Sequence, residues 1–128
     1  MQPNTRLTLG VLAGIALGIM AATAIQARGA RAPHGYVVAE TDVTDPATFE
    51  KYRTQVPGTL VPYKGHFVIR AGKVTPLEGE PPKRLAVIEF ESVAQAQAWY
   101  DSKAYQAIAP IRQSSAKTRS FIIEGAIE

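Results

Sequence analysis

The sequence predicts an α+β fold of the ferredoxin-like type. It is a βαββαβ chain with a four-stranded antiparallel sheet, strand order 4-1-3-2, and both helices on one face. Three observations lead there. Four short segments alternate in a β-rich composition, two helix-like segments open on capping residues, and the elements follow one another as strand–helix–strand–strand–helix–strand, the split βαβ arrangement.

"GYVVAETDV" alternates and gives the first strand, about Tyr36 to Val43. Asp45 before Pro46 is an N-cap followed by proline at the first helical position. The helix "PATFEKYRTQV" sets Phe49, Tyr52 and Val56 on one stripe, and Pro57 interrupts it, leaving "GTLVPY" as a short helical turn or a loop. "HFVIRAG" is the second strand, from His66 to about Ala71. "GKVTPLEGEPPK" is a turn-rich connection, and "KRLAVIEFE" is the third strand. Ser92 with Gln95 forms a capping box for the second helix. Val93, Ala96, Tyr100, Ala104, Ala107 and Ile111 then make an apolar stripe at spacings of three and four, which assigns Tyr100 to the core. Asp101 and Ser102 break the pattern and cap a second helical segment near Lys103, and Pro110 bends or restarts that segment. Ser114 and Ser115 fall in a polar turn, and "TRSFIIEG" is the fourth strand, ending at about Glu124.

Side chains alternate across a sheet, so each strand divides into two sets. One set is Val37, Ala39, Thr41; Phe67, Ile69, Ala71; Ala86, Ile88, Phe90; Phe121, Ile123, almost wholly apolar and expected beneath the helices. The other is Tyr36, Val38, Glu40; His66, Val68, Arg70; Leu85, Val87, Glu89; Ile122, Glu124, apolar in the middle and charged at the ends. No further helix remains to cover this second face. The economical solution is a homodimer, sheet against sheet about a two-fold axis.

The chain has 128 residues, favouring one folded domain, with a formal net charge of +3. Its basic residues are scattered, which argues against nucleic-acid binding. With no Cys, disulfides, thiolate metal sites and thiol catalysis are excluded. Arg6 precedes "LTLGVLAGIALGIMAATAIQA", and Leu7 to Ile25 carries no charge. Residues 1–27 therefore read as a secretory signal or, if uncleaved, as a membrane anchor. Either reading exports the rest, to the periplasm or beyond the cell, or tethered to the inner membrane facing the periplasm. Residues 28–34, "RGARAPH", form a tether, and residues 35–128 form the domain.

"FEKYR", "GHFVIRAG", "VIEFES" and "AWYDSKAYQAIAPIR" together resemble the family known as domain of unknown function 1330, over nearly all of residues 35–125. The resemblance implies a dimeric α/β barrel in which two ferredoxin-like chains join sheet to sheet. The family carries no agreed activity. Its wider group includes cofactor-free oxygenases, isomerases and haem enzymes, so the fold does not select a chemistry.

Trp99 and Tyr105 flank the apolar stripe and rim the space between helix and sheet, with Arg112 one to two turns further on. Aromatic walls and a guanidinium suit a planar or carboxylate-bearing ligand, and Arg70 is a further candidate for it. For acid–base catalysis the candidates are His66, Glu40 and Tyr100. His66 is the one histidine of the domain proper, and no metal-ligand spacing accompanies it, so neither a metal nor a cofactor is expected. Glu40 with Arg70, and Glu89 with Glu124, are expected to approach across one intervening strand, either as paired carboxylates for acid–base work or as subunit contacts. Three functions follow: a small-molecule-binding dimer, a cofactor-independent oxygenase- or isomerase-type enzyme, or an envelope interaction module.

Overall fold

The computed structural model describes residues 32–127. The signal or anchor expectation for residues 1–27, and most of the tether, lie outside that range. Among the described residues, no helix is long and apolar enough to cross a membrane.

Strand β1 (Gly35–Val43) is followed by helix α1 (Pro46–Arg53), a short helix α2 (Val56–Leu60) and a 3-10 turn (Val61–Tyr63). Strands β2 (His66–Arg70) and β3 (Arg84–Phe90) come next. Helices α3 (Val93–Tyr100) and α4 (Lys103–Ser115) then lead into β4 (Ala116–Glu124). The sheet runs β2-β3-β1-β4 with antiparallel pairings, the predicted order read from its other edge. Asp45 caps α1, accepting from the Thr48 amide at 3.2 Å. Ser92 caps α3, accepting from the Gln95 amide at 3.1 Å. The capping box is half made, because the Gln95 side chain donates to the Tyr63 carbonyl at 3.3 Å and so ties α3 to the turn before β2.

The core lies between sheet and helices and holds Val37, Val56, Leu60, Ile88, Phe90, Ala96, Trp99, Tyr105, Ile108 and Ala109. Trp99, 1% exposed, donates its indole N–H to Thr59 at 3.0 Å. Three phases differ from the sequence expectation. The first concerns the helix stripe. Ser102 is extended (φ −63°, ψ 148°) and caps α4 by accepting from the Tyr105 amide, so the chain restarts its turn between α3 and α4. A single wheel drawn through both is out of register beyond Asp101. Tyr105 is therefore buried and Ala104 and Ala107 are exposed, while within α3 itself the buried positions are Ala96 and Trp99, with Val93 exposed and Tyr100 only half-buried. Pro110 sits within α4 without ending it, and Ser115, expected in a turn, is a fully buried last helical residue.

The second concerns β2. Phe67 pairs with Ile88, but Ile69 pairs with Val87 and Arg70 with Ala86, because a bulge at Val68 absorbs one residue. From there on the faces exchange: Ile69 joins the open face and Arg70 turns beneath the helices. Ala71 takes the strand out at φ +54°. The third concerns β4. Val37, Ala39 and Thr41 pair with Ile122, Ser120 and Thr118, so those three lie beneath the helices. Phe121 and Ile123 stand on the open face, 45% and 51% exposed.

Candidate functional site

Three rows of the sheet, read across the strands, form the floor of a cavity under α1 and α4. One row is large and apolar: Phe67, Ile88, Val37 and Ile122. The middle row is small apart from its edge: Arg70, Ala86, Ala39 and Ser120. The third is polar: Arg84, Thr41 and Thr118. Apart from Arg70, side chains in the middle row end at Cβ or one atom beyond, so they leave space unfilled beneath helices that the larger residues around them hold off the sheet. The enclosed space is about 60 Å³ and opens into a wider mouth. An apolar cavity that takes a benzene ring measures roughly 150 Å³. Here only the head of a ligand fits inside, with its body in the mouth.

Phe49, Tyr52, Arg53 and Val56 come from the first helical stretch, Trp99 and Tyr100 from α3, and Tyr105 and Arg112 from α4. Tyr105 and Arg112 are seven residues apart, two turns on one face. The hydroxyls of Tyr52 and Tyr105 are 2.9 Å apart, and the Tyr105 ring lies 4.2 Å from the Trp99 ring and 5.4 Å from that of Tyr100, centroid to centroid. Burial, followed by the Tyr105 hydroxyl, pushes the Tyr52 phenol well above its ordinary pKa, opposed by the Arg112 charge. It stays protonated at neutral pH.

Among the described residues, four arginines line the cavity and no carboxylate or histidine does. Arg53 is neutralised by Glu50, its Nε donating at 2.7 Å. Arg70 lies over the Phe67 ring at 4.5 Å and donates to the Arg53 carbonyl at 3.3 Å, and Arg84 lies 5.3 Å from the Phe49 ring centroid. Among the described residues, none of Arg70, Arg84 and Arg112 has a carboxylate within 4.0 Å. Burial and the neighbouring charges of Arg53 and Arg70 hold the Arg84 pKa below the ordinary guanidinium value. Burial also opposes the Arg112 charge, but the hydroxyls of Tyr105, Tyr52 and Tyr100 outweigh it and raise its pKa.

Trp99, Tyr105, Arg112 and Arg70 thus meet at one cavity, Arg70 by way of the bulge rather than by the alternation expected for it. Of the three acid–base candidates only Tyr100 reaches the cavity. His66 and Glu40 stand on the opposite face. His66 Nε2 is 3.3 Å from Glu89, whose carboxylate also lies 3.4 Å from His34 Nδ1, and Glu40 accepts from Arg119 Nε at 2.7 Å. Glu40 and Arg70 are therefore on opposite faces and do not approach. Glu124 pairs with Gly35 while Glu89 pairs with Tyr36, one position along, so those two carboxylates point to opposite sides. The Tyr36 phenol is raised in pKa, chiefly by its hydrogen bond to Glu89. Sequence reasoning misses Tyr52, Arg53 and Arg84 as site residues. The signals are present: Arg84 shares the alternation of Ala86 and Ile88, and Arg53 follows Phe49 by one helical turn.

A family model, the domain of unknown function 1330, matches residues 34–126. No curated protein matches the sequence. Among solved structures, a protein of unknown function from Rhodopseudomonas palustris is similar at TM-score 0.62 and 15% identity, over 83% of this chain and 93% of that one. SnoaB, a cofactor-independent oxygenase from Streptomyces nogalater, is similar at TM-score 0.52 and 14% identity, over 76% and 97%. A dimeric ferredoxin-like protein of unknown function from Thermobifida fusca is similar at TM-score 0.51 and 14% identity, over 73% and 92%. At these identities the likeness is one of fold.

Proposed function

The chain belongs to the family of domain of unknown function 1330, and from that premise we propose that it is a small-molecule-binding domain whose cavity takes an organic anion. One observation carries the reading: three guanidinium groups without a carboxylate partner within 4.0 Å among the described residues line a cavity whose remaining walls are mainly apolar and aromatic, with Thr41, Thr118 and Ser120 on its floor. Arg84 is partly desolvated and repelled by Arg53 and Arg70, which an entering anion relieves. The grading of the floor orients the ligand, with its acidic head toward Arg84 and Arg112 and its apolar body toward Phe67 and Ile88.

Titration of the full chain with benzoate, followed by Trp99 fluorescence, tests this. Saturable binding that weakens with salt and is lost in Arg112→Gln is expected, and its absence across a panel of aromatic and aliphatic acids would sink the reading. The domain acts as a homodimer through its open sheet face, where Val38, Leu85, Val87, Phe121, Ile123 and Ile69 form an apolar centre. The dimeric state of the Thermobifida fusca neighbour supports this. Export is supported by the uncharged stretch Leu7 to Ile25 after Arg6, and fractionation of cells with mass measurement of the mature chain tests it.

The enzyme reading, of cofactor-independent oxygenase or isomerase type, has a specific observation of its own: Tyr52, Tyr100 and Tyr105 place three phenols in the cavity. The interaction-module reading predicts a solid interior, which the cavity argues against.

A further inference from the structure

The polar groups that meet the cavity are unbalanced between donors and acceptors. The Tyr52 and Tyr105 hydroxyls share one hydrogen bond at 2.9 Å, which uses one of their two protons. The other O–H is left to point elsewhere. Arg112 adds guanidinium N–H groups beside them and has no carboxylate within 4.0 Å among the described residues. On the floor below, the Thr118 hydroxyl bonds the Thr41 hydroxyl at 3.4 Å, and neither is ionised. A group completing this arrangement must accept several hydrogen bonds and carry negative charge.

The donors also converge on a narrow point. A carboxylate is met best by a planar fork offering two parallel N–H groups. Arg84, on the polar row and 5.3 Å from the Phe49 ring centroid, can offer such a fork. Tyr52, Tyr105 and Arg112 bring one unshared phenolic O–H and a guanidinium group to the same cavity, whose enclosed space is about 60 Å³. That suits a single oxygen held inside, with the carbon frame that bears it lying in the wider mouth.

Building on the anion-binding reading, we infer that the inner end of the cavity is an oxyanion site for acidic phenols and enols, binding the ionised oxygen between Arg112 and the Tyr52–Tyr105 hydroxyl pair. Hydrogen bonds and cations that favour the charged form lower the pKa of the group they meet, by about 1–3 units for one opposite charge within reach. Burial works the other way, but here it is partial, because the cavity has an open mouth. The ligand oxygen differs from Tyr52 in its partners. Tyr52 has Tyr105 bonded to its neutral form, whereas the ligand oxygen receives donors only.

The probe is 4-nitrophenol, whose phenolate absorbs visibly and whose neutral phenol does not. Titrated with the full chain at a series of pH values, the bound probe is expected to ionise at a pKa lower by about one unit or more, a tenfold shift toward phenolate. Arg112→Gln and Tyr105→Phe should each remove much of that shift, and Arg112→Lys should restore part of it. Trp99 fluorescence confirms that each variant is folded, and Tyr52→Phe serves as a second variant if Tyr105→Phe is not. Should 4-nitrophenol bind with its pKa unchanged or raised while benzoate still binds, the oxyanion assignment is overturned and the anion-binding reading stands. Binding of neither probe overturns the oxyanion assignment, and failure of the whole acid panel overturns the anion-binding reading with it. A shift that survives Arg112→Gln and both tyrosine variants places the phenolate elsewhere and also overturns the assignment.

Discussion

Thr59→Val removes one oxygen from the wall behind the cavity, and its cost follows from the geometry. The Thr59 hydroxyl accepts from the Trp99 indole N–H at 3.0 Å and donates to the Val56 carbonyl at 2.7 Å. Trp99 is 1% exposed and Thr59 8%, so water does not replace the lost partner. Valine keeps the shape of threonine, so the change isolates the hydrogen bonds from packing. Leaving a buried donor unsatisfied costs about 1–3 kcal/mol. Taking about 2 kcal/mol, and a shift of about 4–8 °C per kcal/mol for a domain of this size, Tm should fall by roughly 8–16 °C. Thr59→Ser keeps the hydroxyl and loses one methyl, about 0.8 kcal/mol, so it should lower Tm by only about 3–6 °C. Trp99 is the sole tryptophan of the chain, so its emission during thermal unfolding reports on the altered site itself. If the Thr59→Val protein melted at or above the Thr59→Ser protein, the claim that Thr59 fixes the indole would be refuted. The account of how the cavity wall is held would go with it.

Other outcomes follow from the same structure. Arg84→Leu should weaken benzoate binding by tenfold or more, about 1.4 kcal/mol. Its stability should stay within about 1 kcal/mol of the parent, because relief of burial and of repulsion from Arg53 and Arg70 offsets the lost contact with Phe49. Paired calorimetric and denaturant titrations would show whether both hold. Tyr52 has a folded pKa above its unfolded value of 10.0, so its contribution to stability is complete below that pH and is lost as pH rises past it. Urea midpoints across this range should fall less steeply for Tyr52→Phe than for the parent. Phe121→Asp sets a charge in the centre of the open face and should yield monomers in sedimentation, with the domain still folded. A dimer that persists would move the interface elsewhere.

What the sequence makes legible is whatever depends on local pattern. Asp45, Ser92 and Ser102 cap the helices they announce, and the strand order follows from element order. What it hides is phase. The Tyr100 stripe assumes a single helix across Asp101 and Ser102. Those two residues mark a break, but a break also resets the helical wheel, and the new angle is set by packing against the sheet. The faces of β4 cannot be counted from β1, because the turn at Ser115–Ala116 decides which residue of β4 first points inward. Alternation puts Arg70 on the wrong face of the sheet because a bulge leaves no mark in a strand of "HFVIR" type. Each of these is a one-residue matter, and in a strand one residue exchanges the faces completely.

The two sheet departures act in the same direction. In a regular β2, Ile69 would sit beside Ala86 in the cavity and Arg70 beside Leu85 on the open face. With β4 in the alternate phase, Phe121 would fill the place now held by Ser120. The middle row would then read Ile69, Ala86, Ala39 and Phe121, two large apolar residues would close the space beneath the helices, and the open face would gain an arginine. The bulge at Val68 and the start of β4 send Ile69, Phe121 and Ile123 to the open face and turn Arg70, Ser120 and Thr118 inward. One pair of register choices thus gives the outer face the apolar centre on which the proposed dimer rests and the inner face the polar, hollow floor on which the proposed anion site rests. The three apolar strand residues that alternation wrongly assigns to the core, Ile69, Phe121 and Ile123, include the two that would fill the cavity. Their relocation couples the proposed interface to the proposed site through the backbone of two edge strands.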